Sequence, residues 1–464
     1  IEYKIDIKFI FYYIQHLFMM ECVVNYITEH DKDELFESIC LLLEAYIKVN
    51  IEQYIQPNFH SRIVKDITIT IVSTFNAVLL DIDTELINQY IEKGLELIYR
   101  HISPPRSNGN TFIRIKPNVE KIRNKIFYLQ NVLQPEQRTQ EWYEFRYNHL
   151  TASNMWKIFI SDSTRNQLIY EKCQPLNTDK YNNNVSFESP MHWGQKYEPL
   201  SIMLYEAIYS AKVSDFGCIP HKTIECIAAS PDGIVTDETS SRYGRMLEVK
   251  NIVNREINGI PKMEYWVQMQ LQMEVCELNE CDFLETRFIE YESKDAFDAD
   301  VLPQADVLPQ ADVLPDADVL PDADVLPGNL STNPKYKGMM ILFINDNGKP
   351  IYEYAPLNIC NSEKAMDDWQ EEMMEKNKTF SWMKNIYWKL DQLSCVLVLR
   401  NKLWFSAVIP QIKEIWKTIE REKVEGYSHR EPKKNNPRAK KPYINNDEIE
   451  MKSHCYINIK TEVL

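Results

Sequence analysis

The sequence has no CxxC pair: its ten cysteines stand singly at positions 22, 40, 173, 218, 226, 276, 281, 360, 395 and 455. That scatter argues against zinc or iron–sulfur ligation. With no secretory leader in view it points to a reducing compartment and an intracellular, non-secreted protein. Long apolar runs are missing as well. The stretch FIFYYI (9–14) is apolar but short, and Gln15, His16 and Glu21 interrupt it, so neither a membrane span nor a membrane partner is expected. Basic residues are in deficit, with 52 Lys and Arg against 68 Asp and Glu, a net −16 over 464 residues. Much of the deficit is local. Nine Asp and no Lys or Arg fall within 295–328, and without that stretch the net charge is −7; residues 421–442 carry eight Lys or Arg against three Glu. A global balance of this origin bears on solubility more than on what any one face can bind.

What is present is a globular composition, 44% hydrophobic and 26% charged, in a chain long enough for about three domains. Residues 1–134 read as a helical accessory domain, with amphipathic spacing over Glu34–Val49 and Thr84–Tyr99, Asp31 or Asp33 as an N-cap, and Ser103–Asn110 as an internal loop. An α/β domain follows over 135–361, then a helical extension over 362–424 and a basic tail over 425–464.

Four pieces inside the α/β domain recur in an order that chemistry can use: WGQKYEP (193–199), ASPDG (229–233), LEVK (247–250) and YWVQMQ (265–270). Side chains alternate across a strand, so Glu248 and Lys250 share one face and Leu247 and Val249 the other. Asp232 lies in a Ser-Pro-Asp-Gly turn, and the polar segment 236–245 reads as a hairpin loop that returns the chain antiparallel and brings Asp232 beside Glu248. Paired carboxylates resist joint ionisation unless a cation sits between them, and hard oxygen donors suit Mg²⁺ or Mn²⁺. The Val249 carbonyl can add an oxygen. Lys250, its pKa lowered by its surroundings, can hold or deprotonate a water. Glu198 lies one helical turn after Gly194, on a helix that Ser189-Pro190 starts and Pro199 would kink.

Upstream, QRTQEWYEFRYNHLTAS (137–153) places Arg146 and Ser153 seven residues apart. The five blocks together resemble the YqaJ-type viral recombinase branch, the lambda-exonuclease-like branch of the PD-(D/E)xK nuclease superfamily, and suggest a large DNA virus as source. The resemblance implies a restriction-endonuclease-like α/β core, with a central mixed β-sheet flanked by helices, beside the N-terminal helical domain and the C-terminal helical extension. It implies two Mg²⁺ ions, replaceable by Mn²⁺, on Glu198, Asp232, Glu248 and the Val249 carbonyl, with Lys250 and Gln268 orienting water and Tyr265 nearby on the DNA side. Arg146 and Ser153 would grip a 5′-terminal phosphate; Asn148 stands where the family usually has Gly, and asparagine tolerates left-handed backbone angles. The implied activity is a 5′-to-3′ exonuclease on double-stranded DNA in viral recombination and repair, in the host cytoplasm or nucleus. Implied partners are DNA, a single-strand annealing protein and further copies of the chain in a ring trimer. The alternatives are an endonuclease of the same fold and a noncatalytic DNA-binding recombination scaffold.

Beyond the motifs, Pro261–Leu278 reads as a helix and Cys281–Tyr291 as a strand. Five tandem ADVLPx units (299–328) form an acidic, Pro-punctuated insert that cannot bury a core. Strands are expected over Gly338–Ile344 and Pro350–Tyr354, joined by Asp346-Asn347-Gly348, then helix over 363–389, a short strand over Cys395–Arg400 and a helix over Ala407–Lys423. The tail HREPKKNNPRAKKPY (429–443) reads as a solvated arm, an import signal or a salt-sensitive DNA contact.

Overall fold

A computed structural model of the chain describes residues 29–75, 84–109, 117–137, 139–176, 189–300, 336–360 and 362–431. The apolar run at 9–14, the ADVLPx units from 301 onward and the tail beyond 431 lie outside the described residues.

The N-terminal part is helical, as its periodicity predicts: α1 (Glu29–Val49), a 3-10 turn (Ile51–Ile55), α2 (Phe59–Phe75), α3 (Thr84–His101) and α4 (Val119–Asn131). Asp31 and Asp33 lie inside α1, whose first residue is Glu29, and so do not cap it. On α3 the buried Ile87, Ile91, Leu95 and Ile98 follow the spacing of one helical face. The segment that starts at Ser103 is anchored by Arg106. Its guanidinium donates to the carbonyls of Tyr54 (3.2 Å), Ile55 (2.8 Å) and Pro261 (2.7 Å), and the Trp266 indole N–H donates back to the Arg106 carbonyl at 2.9 Å. One apolar core therefore runs unbroken from Leu35 and Ile63 through Trp266 to Trp404 and Ile419.

The remaining elements are α5 (Gln140–Tyr147), β1 (Leu150–Thr151), α6 (Ala152–Met155), α7 (Lys157–Ile160), α8 (Asp162–Cys173), α9 (Pro190–Tyr209), β2 (Val213–Ser214), β3 (Ile219–Pro220), β4 (Ile227–Ala229), β5 (Gly233–Val235), β6 (Met246–Asn251), α10 (Met263–Cys276), β7 (Glu280–Glu290), α11 (Lys294–Ala299), β8 (Lys337–Ile344), β9 (Pro350–Tyr354), α12 (Glu363–Lys376), β10 (Ser381–Leu399) and α13 (Lys402–Glu425). Seven strands form one mixed sheet in the order β2-β5-β6-β7-β10-β8-β9, in which only the β6–β7 pair is parallel, joined by the crossover helix α10. A second, three-stranded sheet has the order β1-β4-β3. The expected class, an α/β fold with a mixed central sheet flanked by helices, is the one observed.

Two local expectations change. Residues 381–389 are strand, not helix: the helical period ends at Lys376, and Ile386, Trp388 and Leu390 then alternate inward at 3%, 0% and 6% exposure. The short strand expected at Cys395 is the far end of the same 19-residue β10, which pairs with β7 and β8 in the middle of the sheet. The hairpin at Asn347-Gly348 forms as the sequence predicts, with Gly348 at φ +72°.

Candidate active site

Asp232 and Glu248 meet because β5 and β6 run antiparallel, pairing Gly233 with Leu247 and Ile234 with Met246. The residue after Asp232 must be small, since a Cβ at Gly233 would come within 2.2 Å of the Val213 side chain on β2. Asp232 Oδ2 accepts the Val249 N–H at 2.7 Å, which docks the turn onto β6. Along β6 the alternation holds. Leu247 and Val249 pack with Tyr205, Val235 and Leu284, while Glu248 and Lys250 face α10. Glu248 is fully buried; its Oε2 accepts from Gln272 Nε2 at 2.7 Å and its Oε1 from the Lys250 ammonium. Lys250 also donates to the Val249 carbonyl at 3.1 Å and lies 5.2 Å from the centre of the Tyr265 ring.

Burial, then the neighbouring Glu248, raise the Asp232 carboxyl well above its ordinary range; Glu198 adds to this, against the opposing Lys250 and the Val249 N–H. Glu198 is half-buried on α9, near enough for its charge to act on Asp232, and the space around Gly194 one turn earlier is open. Burial alone would lower Lys250, but Glu248 and Asp232 outweigh it and raise the lysine above its usual value. The expected lowered pKa is therefore reversed. Two acidic neighbours at close range outweigh desolvation.

Among the described residues no group of three or more His, Cys, Asp and Glu is gathered closely enough to hold a metal ion by itself. The oxygens present are Asp232, Glu248, the Val249 carbonyl and, at the edge, Glu198. These are hard donors whose mutual repulsion a divalent cation would relieve, and the buried Gln272 Oε1 beside them has no hydrogen-bond partner among the described residues. The chemistry of the set fits Mg²⁺ or Mn²⁺.

Arg146 and Ser153 come together as well. Thr139 caps α5, accepting from the Trp142 N–H at 3.2 Å, and near the helix's other end Arg146 Nη2 donates to Ser153 Oγ at 2.9 Å while its guanidinium lies 4.3 Å from the Trp142 ring centre. β1, between the two residues, pairs in parallel with β4, the strand that leads into the Asp232 turn, so Ser153 and Asp232 follow neighbouring strands of one short sheet. Asn148 has φ −83°, so the loop needs no left-handed residue at this position.

The sequence assigns two residues here no role: Gln272, which shares a helical face with Tyr265 and Gln268 but reads as an ordinary surface residue and is instead fully buried, and Lys172. Gln272 is the amide bonded to Glu248; Gln268, one turn earlier on α10, is half-buried, and Gln270 turns away to Leu399 and Asn401. The spacing Tyr265, Gln268, Gln272 marks the correct helical face but does not say which amide meets β6. Lys172 is the other. Only 7% exposed, it donates to the carbonyls of Arg146 (2.5 Å), His149 (2.6 Å) and Tyr147 (3.3 Å), closing the end of α5 that carries Arg146. Burial, then the Arg146 charge, push Lys172 down to about 7. Nothing in the local sequence signals it.

Comparison with known proteins agrees with the motif blocks. Residues 141–279 match the YqaJ-like viral recombinase domain, a span that includes Arg146, Ser153, Glu198, Asp232, Glu248, Lys250 and Gln268. The uncharacterized protein R354 of Acanthamoeba polyphaga mimivirus, a large DNA virus, is 28% identical over 323 residues, 62% of this chain; the chain spans about half (53%) of that relative's length. Two solved structures of an alkaline exonuclease from Laribacter hongkongensis (LHK-Exo), one in complex with dAMP, are each 18% identical, covering 61% of this chain and 94% of theirs, with TM-scores of 0.33 and 0.32.

Proposed function

We propose that this chain, with a YqaJ-like viral recombinase domain at residues 141–279, is a divalent-metal-dependent deoxyribonuclease, acting as a 5′-to-3′ exonuclease on double-stranded DNA during viral recombination. The observation that carries the reading is the convergence of Asp232, Glu248, the Val249 carbonyl and the Lys250 ammonium at one end of the β5–β6 hairpin, with Gln272 fixing Glu248 from behind. An ordinary surface ion pair would not be braced in this way by a buried amide.

Asp232, Glu248, the Val249 carbonyl and Glu198 would hold two Mg²⁺ ions. When bound, such ions polarise a phosphodiester and make water a nucleophile at neutral pH. Lys250, held as an ammonium between Glu248 and the Val249 carbonyl, is placed to donate to a phosphate oxygen or to orient the attacking water. Gln272 fixes the Glu248 rotamer; Gln268 and Tyr265, on the same helical face, border the path of the strand. Arg146 and Ser153 form the complementary half, a guanidinium and a hydroxyl 2.9 Å apart that suit a terminal phosphate. A protein that holds the end and cuts at the carboxylates releases 5′-phosphorylated nucleotides.

The test is digestion of linear duplex, labelled at either end, beside a covalently closed circle, with Mg²⁺ and with EDTA. Mg²⁺-dependent release from 5′-phosphorylated ends with the circle intact supports the proposal. Nicking of the circle would make the chain an endonuclease, and inertness on both would leave a binding scaffold.

A further inference from the structure

Away from the carboxylates, α4 carries Lys121, Asn124, Lys125 and Tyr128 at i, i+3, i+4 and i+7, a single stripe along one flank of the face buried at Ile126 and Leu129. The stripe lines a cleft of about 390 Å³ together with Asn118 and Glu120 at the start of α4, Val275, Cys276 and Glu277 at the end of α10, and Lys222 from the turn after β3, so that three lysines stand there against two carboxylates. The Lys222 ammonium lies 5.5 Å from the centre of the Tyr128 ring. Lys125 is already engaged: it donates to the Glu277 carbonyl and sits 3.7 Å from that carboxylate. Lys121 and Lys222 form no ion pair among the described residues, although the chain as a whole carries −16. Tyr128 is 43% exposed and its neighbour Phe127 67%.

We propose that this cleft binds single-stranded nucleic acid, with Lys121 and Lys222 on phosphates and a base stacked on Tyr128. Cations interleaved with an exposed aromatic ring are the chemistry that single strands select: the charges follow the backbone and the ring accepts any base. From Lys121 to Tyr128 the stripe rises about 10 Å, enough for about three phosphates of a stacked strand. The cleft is rigidly tied to the candidate active site. α10 presents Gln272 to Glu248 and ends at the cleft about 6 Å further along its axis. Resting on the nuclease reading, the cleft gives a seat to the strand left unpaired when its complement is digested.

The experiment measures binding of fluorescein-labelled oligothymidylate to the full chain in EDTA over a series of salt concentrations, for the parent, for Lys121→Ala/Lys222→Ala and for Tyr128→Ala. Digestion of a short 5′-phosphorylated duplex in Mg²⁺ is followed in parallel. The double variant should lower the magnitude of the slope of log K against log salt by about 1.4, two phosphates at about 0.7 each, and Tyr128→Ala should weaken binding about tenfold. Short-duplex digestion should not change. Unaltered affinity and slope in the variants, while the parent digests DNA, would overturn the cleft and leave the nuclease reading standing. Weakened binding in the variants of a parent that digests nothing would uphold the cleft and reject the nuclease reading. Competition by polyglutamate as strong as by oligothymidylate at equal charge would overturn the nucleic-acid assignment in favour of an acidic protein partner.

Discussion

Replacing Asp232 with Asn should separate what this carboxylate does for the fold from what it does for a cation. The asparagine oxygen can keep the 2.7 Å bond from the Val249 N–H, and the volume is unchanged, but one of the negative charges gathered with Glu248 and Glu198 is gone. Without divalent ions the variant loses a buried charge and its repulsion from Glu248 and Glu198, which together outweigh the lost attraction to Lys250, so its unfolding midpoint in EDTA at neutral pH should equal or exceed that of the parent. With Mg²⁺ the order should invert. Ligand present at a hundred times its Kd stabilises a folded protein by about 2.7 kcal/mol through mass action, which for a chain of this size is an upward shift of several degrees at most. The parent should show that shift and the variant should lose most of it, along with DNA hydrolysis. Thermal unfolding followed by circular dichroism, with and without Mg²⁺, gives both readings. An equal Mg²⁺ shift in the two proteins would refute Asp232 as a ligand, and a lower midpoint for the variant in EDTA would refute the repulsion argument.

Lys250→Ala should reduce hydrolysis by roughly 10² or more, the range for losing a positioned donor or acid–base group, with the circular dichroism spectrum unchanged; activity near that of the parent would remove Lys250 from the site. Gln272→Ala should lower kcat more than Gln268→Ala, because only Gln272 is bonded to Glu248, and the opposite order in steady-state assays would restore Gln268 as the amide that matters. Lys172 gives a pH signature. Its folded value near 7 lies below the usual 10.5, so between these limits the unfolded chain binds more protons and stability rises with pH, by at most about 1.4 kcal/mol per unit. Denaturant titrations from pH 7 to 10 should show that rise, and Lys172→Met should flatten it; identical pH dependence in both proteins would contradict the assignment.

How far the sequence went can be read from particular residues. The hairpin joining Asp232 to Glu248 was legible because two local rules agree, a Pro-Asp-Gly turn and period-two alternation in Leu247–Lys250. The meeting of Arg146 with Ser153 was legible from motif spacing. Whether Gln268 or Gln272 meets Glu248 depends on how α10 is rotated against the sheet, and that is set by buried residues far apart in the chain, such as Trp266 against Tyr54 and Trp404. The protonation of Lys250 was misjudged for a related reason: the expectation weighed burial and gave too little to two acidic neighbours. β10 was partly hidden because the helical spacing of Met366, Trp369 and Met373 runs up to it, although Ile386, Trp388 and Leu390 already carried the strand period. Lys172 lies 26 residues from the backbone carbonyl it caps at Arg146, and no local pattern links them.

The account rests on divalent cations settling among the oxygens at the end of the β5–β6 hairpin. Anomalous scattering from crystals of the full chain grown with a 5′-phosphorylated duplex and soaked in Mn²⁺ tests this most directly. The prediction is density about 2.1 Å from the carboxylates of Asp232 and Glu248 and from the Val249 carbonyl, with the DNA end against Arg146 and Ser153. Manganese bound elsewhere, or absent while the duplex is in place, would contradict it.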